Sequence, residues 1–326
     1  MFRALVLTQQ DKKTNASIQY LNETQLPQGN VQVKVSYSSL NYKDGLVITG
    51  TGRLVRQFPM IPGIDFVGTV LQSEDPRYQI NDKVILTGWG VGENHWGGMA
   101  EKAQVPGNYL VPLPAHCTEK QAMFIGTAGL TAMLCVQALL DAGLTPEDGN
   151  ILVTGASGGV GTTSIALLSQ LGFSVTAVTG RMQNNHQLLS SLGAKAIIER
   201  EKFEEPAKPL EKQQWAGAID TVGNHVLAKL LTQINYGGAV AICGLAGGFA
   251  LPTTVMPFIL RNVSLLGIDS VNCPQEKRIQ AWNKIIKLLP EHFFANTGTE
   301  ITLEEAPNYA KKIIAGQVTG RTLIKL

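Results

Sequence analysis

A glycine-rich segment between a buried strand and an apolar helix constrains this chain more than any other feature. The strand is predicted over 151–154, and residues 155–161 then read Gly-Ala-Ser-Gly-Gly-Val-Gly. An apolar helix is predicted over 162–171, closed by Gly172. Small residues at 156, 158 and 161 reproduce the spacing of a dinucleotide-binding turn, with alanine in the first place. The order of strand, loop and helix favours a phosphate-binding loop over a plain turn.

Strands and helices alternate on both sides of this loop. Further strands are predicted over 175–178, 196–198, 218–221, 239–243 and 264–268. Helices are predicted over 120–142, 186–192 and 226–234. This alternation is typical of an α/β fold with a doubly wound parallel sheet, and a ligand of such a sheet binds at the carboxyl ends of its strands.

The first third of the chain has a different, β-rich pattern. Val31, Val33 and Val35 alternate with polar residues, and short apolar runs follow at 66–71 and 84–86. Short strands with frequent glycine and proline indicate a compact, barrel-like domain.

The C-terminal part of the sequence predicts a return to this first domain. Helices are predicted over 275–289 and 303–315, and we expect a last strand, 322–326, to complete the sheet of the first domain. We therefore expect a substrate domain formed by 1–122 and 270–326, and a nucleotide-binding domain formed by 123–269.

The residues after the second strand of the nucleotide domain favour NADPH over NADH. An NAD-binding site places an acidic residue there, whereas this chain reads Thr179-Gly180-Arg181. The guanidinium of Arg181 can bind a 2′-phosphate through paired, charge-assisted hydrogen bonds, and Thr179 can add its hydroxyl. The alternative is that Arg181 is an ordinary solvated arginine on the surface.

Composition narrows the choice of partners. The 326 residues are 44% hydrophobic and 16% charged, with a formal net charge of +2. Neither a nucleic acid nor a membrane partner is expected, because the basic residues are scattered and no stretch is predicted to span a bilayer. The N-terminus lacks the features of a signal peptide, and the four cysteines lie far apart, as in a reduced protein. We therefore expect a cytoplasmic protein.

Three segments resemble signatures of the medium-chain dehydrogenase/reductase superfamily. They are 62–68 (Pro-Gly-Ile-Asp-Phe-Val-Gly), 97–101 (Gly-Gly-Met-Ala-Glu) and 126–132 (Gly-Thr-Ala-Gly-Leu-Thr-Ala). Three longer strings, 41–45, 87–96 and 251–262, narrow the resemblance to the acrylyl-CoA reductase (NADPH) group, whose members are often labelled quinone oxidoreductases. The resemblance covers essentially the whole chain and implies a GroES-like β-rich catalytic domain joined to a Rossmann domain.

The resemblance also implies which residues bind NADPH and how the chain assembles. The expected cofactor residues are Tyr42, Thr127, Ser157, Gly158, Gly159, Val160, Thr179, Gly180, Arg181, Leu245, Ile259, Ser270 and Gln317. Relatives often pair the edge strands of their Rossmann sheets, so a homodimer through the region 251–268 is expected.

No metal site is expected. Zinc-dependent members of the superfamily carry Gly-His-Glu where this chain has Gly63-Ile64-Asp65, and isoleucine cannot bind a metal. The cluster of four closely spaced cysteines that holds structural zinc in those members is also absent from the sequence. Asp65 is interpreted as a buried hydrogen-bonding group.

Without a metal, a carbon–carbon double bond conjugated to a carbonyl is a suitable hydride acceptor. Tyr42, predicted in a loop, either protonates the α-carbon or stacks on the nicotinamide while water supplies the proton. Asn41 is expected to orient the thioester or the cofactor amide, and Lys43 is expected to pair with Asp44. Arg53 and Arg56 are candidates for binding the phosphates of coenzyme A.

Three functions follow from these expectations. The leading one is NADPH-dependent reduction of acrylyl-CoA, a small-molecule CoA thioester, to propionyl-CoA. The second is reduction of quinones or free α,β-unsaturated carbonyls. The third is a non-catalytic NADPH-binding redox sensor, against which the motif-bearing loops of the first domain argue.

Overall fold

The structure, a computed structural model, describes all 326 residues. Its strands are β1 Phe2–Gln10, β2 Lys13–Leu21, β3 Val31–Leu40, β4 Asp65–Ser73, β5 Lys83–Thr87, β6 Lys102–Val105, β7 Leu110–Pro112, β8 Ile151–Val153, β9 Val175–Thr179, β10 Ala194–Glu199, β11 Trp215–Asp220, β12 Ile234–Ile242, β13 Ser264–Gly267, β14 Gly298–Thr302 and β15 Arg321–Lys325. Its α-helices are α1 Tyr42–Thr49, α2 Glu119–Asp141, α3 Gly159–Gln170, α4 Met182–Ser191, α5 Asn224–Leu231, α6 Met256–Arg261, α7 Gln275–Leu288, α8 Glu291–Asn296 and α9 Ala306–Ile314.

The chain folds into two compact units. The first unit contains Met1–Thr127, Ser270–Ile286 and Gly298–Leu326, and the second contains Ala128–Asp269 and Lys287–Thr297. The α/β class with one mixed and one parallel sheet is therefore confirmed.

The first unit is built on a seven-stranded sheet and a hairpin. The strand order is β14-β15-β3-β4-β5-β7, with β6 also paired to β3. The predicted closing strand, β15, pairs antiparallel with β3, so the return of the tail to this sheet is confirmed. The sheet packs around the buried side chains of Val31, Val33, Phe66 and Leu86.

Strands β1 and β2 form a long antiparallel hairpin in the first unit. Strand β1 pairs with β2 along its whole length, from Phe2 opposite Leu21 to Gln10 opposite Lys13. The turn residues Asp11 and Lys12 have φ angles of 47° and 63°. Two left-handed residues in succession match the twist of a tight hairpin, although a lysine there gives little signal in the sequence.

The second unit is a six-stranded parallel sheet, in the order β10-β9-β8-β11-β12-β13. The predicted helix 226–234 was wrong at its end, because α5 stops at Leu231 and Ile234 already pairs with Trp215 in the sheet.

In the first unit, the predicted helix 303–315 was imprecise at its start, since a 3₁₀ turn, Leu303–Glu305, precedes α9.

Helix α2 corrects the expectation that no stretch of the chain is long enough to span a bilayer. It has 23 residues and, by length and composition, passes as a candidate span. Its most apolar window is 78% buried inside the protein, as in the core helix of a globular fold. Its helical geometry is also interrupted at Gly126, where φ is 51° and ψ is −156°.

Candidate functional site

Tyr42 lies at the first position of helix α1, so the predicted loop conformation was wrong. The backbone N–H of the preceding residue, Asn41, donates to the carboxylate of Asp44 at 2.9 Å, a capping arrangement that starts the helix. A Cβ on Gly45 would approach Ile313 of α9 to 2.6 Å, so this glycine lets the two helices pack closely. The Tyr42 side chain is 39% exposed and its ring is therefore available to a ligand.

The carboxylate of Asp44 joins α1 to the segment before strand β4. Its Oδ1 accepts hydrogen bonds from the backbone N–H groups of Gly63 and Ile64 at 2.9 and 3.1 Å. Burial, and next the negative charge of Asp65, raise the pKa of Asp44 to about 7, although the N–H donors favour the charged form. The expected pair of Lys43 with Asp44 was wrong, because Lys43 lies 2.8 Å from Glu93 instead.

Asp65 is a fully buried hydrogen-bonding group, in agreement with its interpretation from the sequence. Its Oδ1 accepts from the backbone N–H and the hydroxyl of Ser39 at 3.2 and 2.6 Å. Its Oδ2 accepts from the Asn41 side-chain amide at 3.0 Å and from the backbone N–H of Thr127 at 2.8 Å. One carboxylate thus fixes both Asn41, expected to orient the thioester or the cofactor amide, and Thr127, an expected cofactor residue.

Arg321, on the last strand, supplies the positive charge beside Asp65. Its Nη2 lies 3.9 Å from Asp65, and its Nη1 donates to the Asn41 side-chain oxygen at 3.0 Å. Burial lowers the pKa of this guanidinium. A Cβ on Gly126 would overlap Arg321, so the break in helix α2 requires glycine at this position. Both polar ends of the Asn41 side chain are therefore held by the protein itself.

Two further residues of the first unit were proposed for the cofactor. Ser270 is 8% exposed, and its carbonyl accepts a hydrogen bond from the buried Arg278 at 3.2 Å. Gln317 is exposed just after α9, and its backbone N–H donates to Lys312 at 2.9 Å. Neither contact assigns a ligand, so both roles remain predictions.

No arrangement of three or more His, Cys, Asp or Glu side chains that could hold a metal ion occurs in the structure. The side chain of Ile64 is buried, and its backbone N–H donates to the Asp44 carboxylate at 3.1 Å. The ring nitrogens of His95 lie 3.1 and 3.2 Å from the carbonyl oxygens of Trp96 and Gln28, which is a structural role.

In the second unit the glycine-rich segment forms a tight loop between β8 and α3. Gly155 has a φ of 57°, and a Cβ there would overlap Thr221. The residue whose freedom makes the turn is therefore Gly155, one position before the alanine proposed for that role. A Cβ on Gly161 would overlap the Gly155 carbonyl, so the start of α3 packs directly on the loop.

Gly158 differs from these glycines. Its nearest neighbour, for an added Cβ, is the Gly155 carbonyl oxygen at 3.3 Å, and its φ and ψ of −84° and 175° suit any residue. Internal packing alone does not demand a glycine at this position. The amides of the first turn of α3, from Gly159 through Val160 to Gly161, have no acceptor within the helix. An open glycine beside free helix amides fits a pyrophosphate.

Thr179 and Arg181, which were proposed for the 2′-phosphate, lie together with Ser157, a further proposed cofactor residue. The hydroxyls of Ser157 and Thr179 are 3.2 Å apart, and the Arg181 guanidinium donates to Ser157 at 3.3 Å. The backbone N–H of Arg181 donates to the Thr179 hydroxyl at 3.2 Å. Partial burial lowers the pKa of Arg181, without threatening its charge at neutral pH.

A second arginine, Arg200, lies next to Gly180 and was not predicted from the sequence. The Arg200 guanidinium carbon lies 3.2 Å from where a Cβ on Gly180 would stand. Arg200 directly follows strand β10, the neighbour of β9 in the sheet, and its position at that strand end was the available signal. Its guanidinium is paired with Glu204 at 2.7 Å. Thr179, Gly180, Arg181 and Arg200 thus form a polar, cationic corner.

The remaining proposed cofactor residues of this unit are exposed apolar side chains. Leu245 follows β12 and is 59% exposed, and Ile259 on α6 is 71% exposed. Leu245 lies beyond the carboxyl end of β12, where an exposed apolar side chain is available to the flat face of a ring, although the structure assigns no ligand to Leu245 or to Ile259.

A unit with a parallel sheet and a glycine-rich loop, in a chain that also contains a β-rich unit, defines a dinucleotide-dependent dehydrogenase or reductase. Two family models match: Alcohol dehydrogenase GroES-like domain over residues 27–115, and Zinc-binding dehydrogenase over residues 159–291. The Escherichia coli protein AcuI, named as an acrylyl-CoA reductase, is 61% identical over 99% of each chain. Bacillus subtilis YhfP, named as a quinone oxidoreductase, is 44% identical over 100% of this chain and 99% of its own.

A solved structure agrees with these relatives. The YhdH oxidoreductase of Salmonella enterica, crystallised in complex with NADP, is 63% identical, covers 99% of each chain and superposes with a TM-score of 0.98. The chain belongs to the medium-chain dehydrogenase/reductase superfamily, in the group that contains AcuI and YhfP. The family resemblance drawn from its sequence motifs is therefore confirmed.

Proposed function

We propose that this protein reduces the conjugated double bond of acrylyl-CoA to give propionyl-CoA, with NADPH as the reductant. The observation that supports NADPH as the cofactor is the cluster of Ser157, Thr179 and Arg181 at the glycine-rich loop. Support for the substrate comes from AcuI, at 61% identity over nearly the whole chain. The second unit, by this proposal, holds NADPH, and the first provides the substrate domain.

NADPH, when bound, supplies the hydride that adds to the β-carbon of the substrate. The carbonyl of the thioester then carries negative charge, and a proton must reach the α-carbon. Tyr42 is the candidate acid in the first unit, because its hydroxyl is on an exposed side chain at a helix start. Asn41 is better suited to positioning, since its amide already bonds Asp65 and Arg321.

Replacing Tyr42 with phenylalanine tests the acid role. If the hydroxyl protonates the α-carbon, kcat should fall by about 10²–10⁴-fold, the usual range for general acid catalysis, while NADPH affinity stays close to that of the wild type. Unchanged kcat would assign the proton to water and leave the ring as a stacking or packing group.

We further propose that the reaction needs no zinc. Ile64 stands where zinc-dependent members of the superfamily have a histidine ligand, and an aliphatic side chain offers no lone pair. Exhaustive dialysis against a chelator should leave both turnover and the unfolding temperature unchanged. Loss of activity that added zinc restores would contradict this proposal.

Quinone reduction is the second candidate, supported by the 44% identity to YhfP. A direct test follows NADPH oxidation with acrylyl-CoA and, in parallel, with a simple quinone and a free enone. Turnover of the thioester alone supports the proposed reaction. Turnover of the quinone alone would replace it, and NADPH binding without oxidation by any acceptor would favour a sensor.

We also propose a cytoplasmic homodimer. Strand β13 is an edge of the parallel sheet, so its outer backbone groups have no strand neighbour within the chain. Nearby Val255, Ile259 and Leu260 are more than half exposed, at 65%, 71% and 54%. Sedimentation equilibrium should give twice the mass of the 35.1 kDa chain, and a monomer at micromolar concentration would refute this assembly.

A further inference from the structure

A buried hydrogen-bonded pair joins two loops at the carboxyl ends of strands β8 and β11. The hydroxyl of Thr154, the residue after β8, donates to Asp220 Oδ1 at 2.6 Å, and Asp220 Oδ2 accepts from the Gly223 N–H at 2.7 Å. Thr154 and Asp220 are both fully buried. The glycine loop, residues 155–158, therefore shares one carboxylate with the β11 loop, residues 221–223.

Thr221 adds two more bonds between the same loops. Its N–H donates to the Thr154 hydroxyl at 3.1 Å, and its own hydroxyl donates to the Thr154 carbonyl at 3.1 Å. The Thr154 hydroxyl is thus both donor and acceptor, and valine would remove both bonds without changing the size of the side chain. Gly155, with its left-handed φ of 57°, leaves the space that the Thr221 side chain occupies.

The connection continues to the β12 loop, residues 243–248. The Cys243 N–H donates to the Asp220 carbonyl at 3.0 Å, and the Gly247 N–H donates to the Val222 carbonyl at 2.8 Å. Asn224 donates to the Gly247 carbonyl at 3.0 Å. Three loops that lie 66 and 23 residues apart in sequence are therefore held as one hydrogen-bonded body.

We propose that Thr154 and Asp220 are positioning residues that hold the glycine loop and the β11 and β12 loops in the arrangement that binds the pyrophosphate and nicotinamide parts of NADPH. This rests on the proposed cofactor. A loop ordered before binding loses less conformational freedom when the ligand arrives, so the pair contributes to affinity without touching the ligand. Because the pyrophosphate and the nicotinamide are common to NADPH and NADH, the network is expected to serve both cofactors.

Three variants separate this role from general stability. Thr154→Val removes the hydroxyl at constant volume, whereas Thr154→Ser keeps the hydroxyl. Thr176→Val makes the same isosteric change in a buried residue of the neighbouring strand β9. The measurements are the Kd values for NADPH and NADH, from cofactor fluorescence, and amide hydrogen exchange of the cofactor-free protein.

Thr154→Val should weaken the binding of both cofactors by about tenfold, the effect of one lost hydrogen bond to a carboxylate, with the ratio of the NADPH and NADH Kd values unchanged. In the same variant, amide hydrogen exchange should become faster in residues 155–158 and 221–223. Thr154→Ser and Thr176→Val should both remain near the wild type. If Thr154→Val is not folded, Thr221→Val, which removes one hydroxyl bond at the partly buried edge of the network, replaces it with a smaller expected loss.

Faster exchange with an unchanged Kd would overturn the proposal, since order in the loops would then have no bearing on binding. Equal loss in Thr154→Val and Thr154→Ser would overturn it as well, because the hydroxyl would not be responsible. If the wild-type protein binds neither NADPH nor NADH, the proposed function fails instead. The titration of the wild-type protein therefore distinguishes failure of the proposed function from failure of the positioning role.

Discussion

Replacing Arg181 with alanine should separate the binding of NADPH from that of NADH. The side chain lies at the carboxyl end of β9, with its guanidinium 3.3 Å from the Ser157 hydroxyl and its backbone N–H bonded to Thr179. Truncation removes the guanidinium and keeps the backbone bond. The loop should therefore retain its conformation while the corner loses its principal positive charge.

The size of the effect follows from the environment of the guanidinium. A hydrogen bond to a charged group contributes about 1.5–3 kcal/mol, and each 1.4 kcal/mol changes Kd tenfold. Arg181 is partly buried, since desolvation lowers its pKa, so solvent screens its charge less than that of a surface arginine. We expect the Kd of NADPH to rise by about 10- to 100-fold and that of NADH by less than about threefold.

The assay is a fluorescence titration of each cofactor at two salt concentrations. Lys195→Ala is the matched control, because Lys195 is an exposed cation near the amino end of neighbouring strand β10, away from the site. Arg200→Ala should give a smaller, same-signed loss, since Arg200 is already paired with Glu204. Equal weakening of NADPH and NADH in Arg181→Ala would refute a 2′-phosphate role for this side chain.

Three further predictions concern binding and stability. Gly158→Ala should fold normally but weaken the binding of NADPH. In Gly161→Ala the new Cβ would overlap the Gly155 carbonyl, so the free energy of unfolding should fall by about 1–3 kcal/mol. Calorimetry measures the stability of each variant, and a cofactor titration measures its affinity for NADPH. The double variant Arg53→Ala/Arg56→Ala should raise KM for acrylyl-CoA and leave KM for a free enone unchanged, and equal KM changes would exclude contact with the phosphates of coenzyme A. The hydrogen bonds from Arg77 lower the pKa of Asp75 from 3.8 to about 2, so the free energy of unfolding should fall as the pH drops through this range. The loss should be about 1 kcal/mol or less because Arg77 is half exposed, and an Asp75→Asn variant that keeps the same acid slope in denaturant melts would contradict this origin.

The second unit was predictable because its fold leaves local marks in the sequence. Buried strands such as Ile151–Val153 read as short apolar runs, and glycines close the helices that follow them. The cluster around Arg181 was predictable for the same reason, since the carboxyl ends of neighbouring parallel strands meet at one edge of the sheet. Arg200 reaches that edge too, but an arginine beside an acidic residue resembles an ordinary surface pair.

The first unit was harder because its contacts are distant in sequence. Helix α1 did have a local signal, Asn41 followed three residues later by Asp44, which is a capping pattern. The second half of the Asp44 interaction, with the amides of Gly63 and Ile64, lies 19 and 20 residues away and leaves no periodic trace. The same holds for Arg321, which meets Asn41 across 280 residues.

Each unit uses a buried carboxylate to hold together segments that are distant in sequence. Asp65 accepts from the amides of Ser39 and Thr127, and Asp220 accepts from the Gly223 amide and the Thr154 hydroxyl. A carboxylate accepts on both oxygens, whereas asparagine would turn an N–H toward one of these donors. Because well-packed apolar groups often replace buried charges at no cost in stability, global stability alone does not explain two such sites. Fixing loop positions does explain them, since each carboxylate sets the backbone of residues that we propose for the cofactor site.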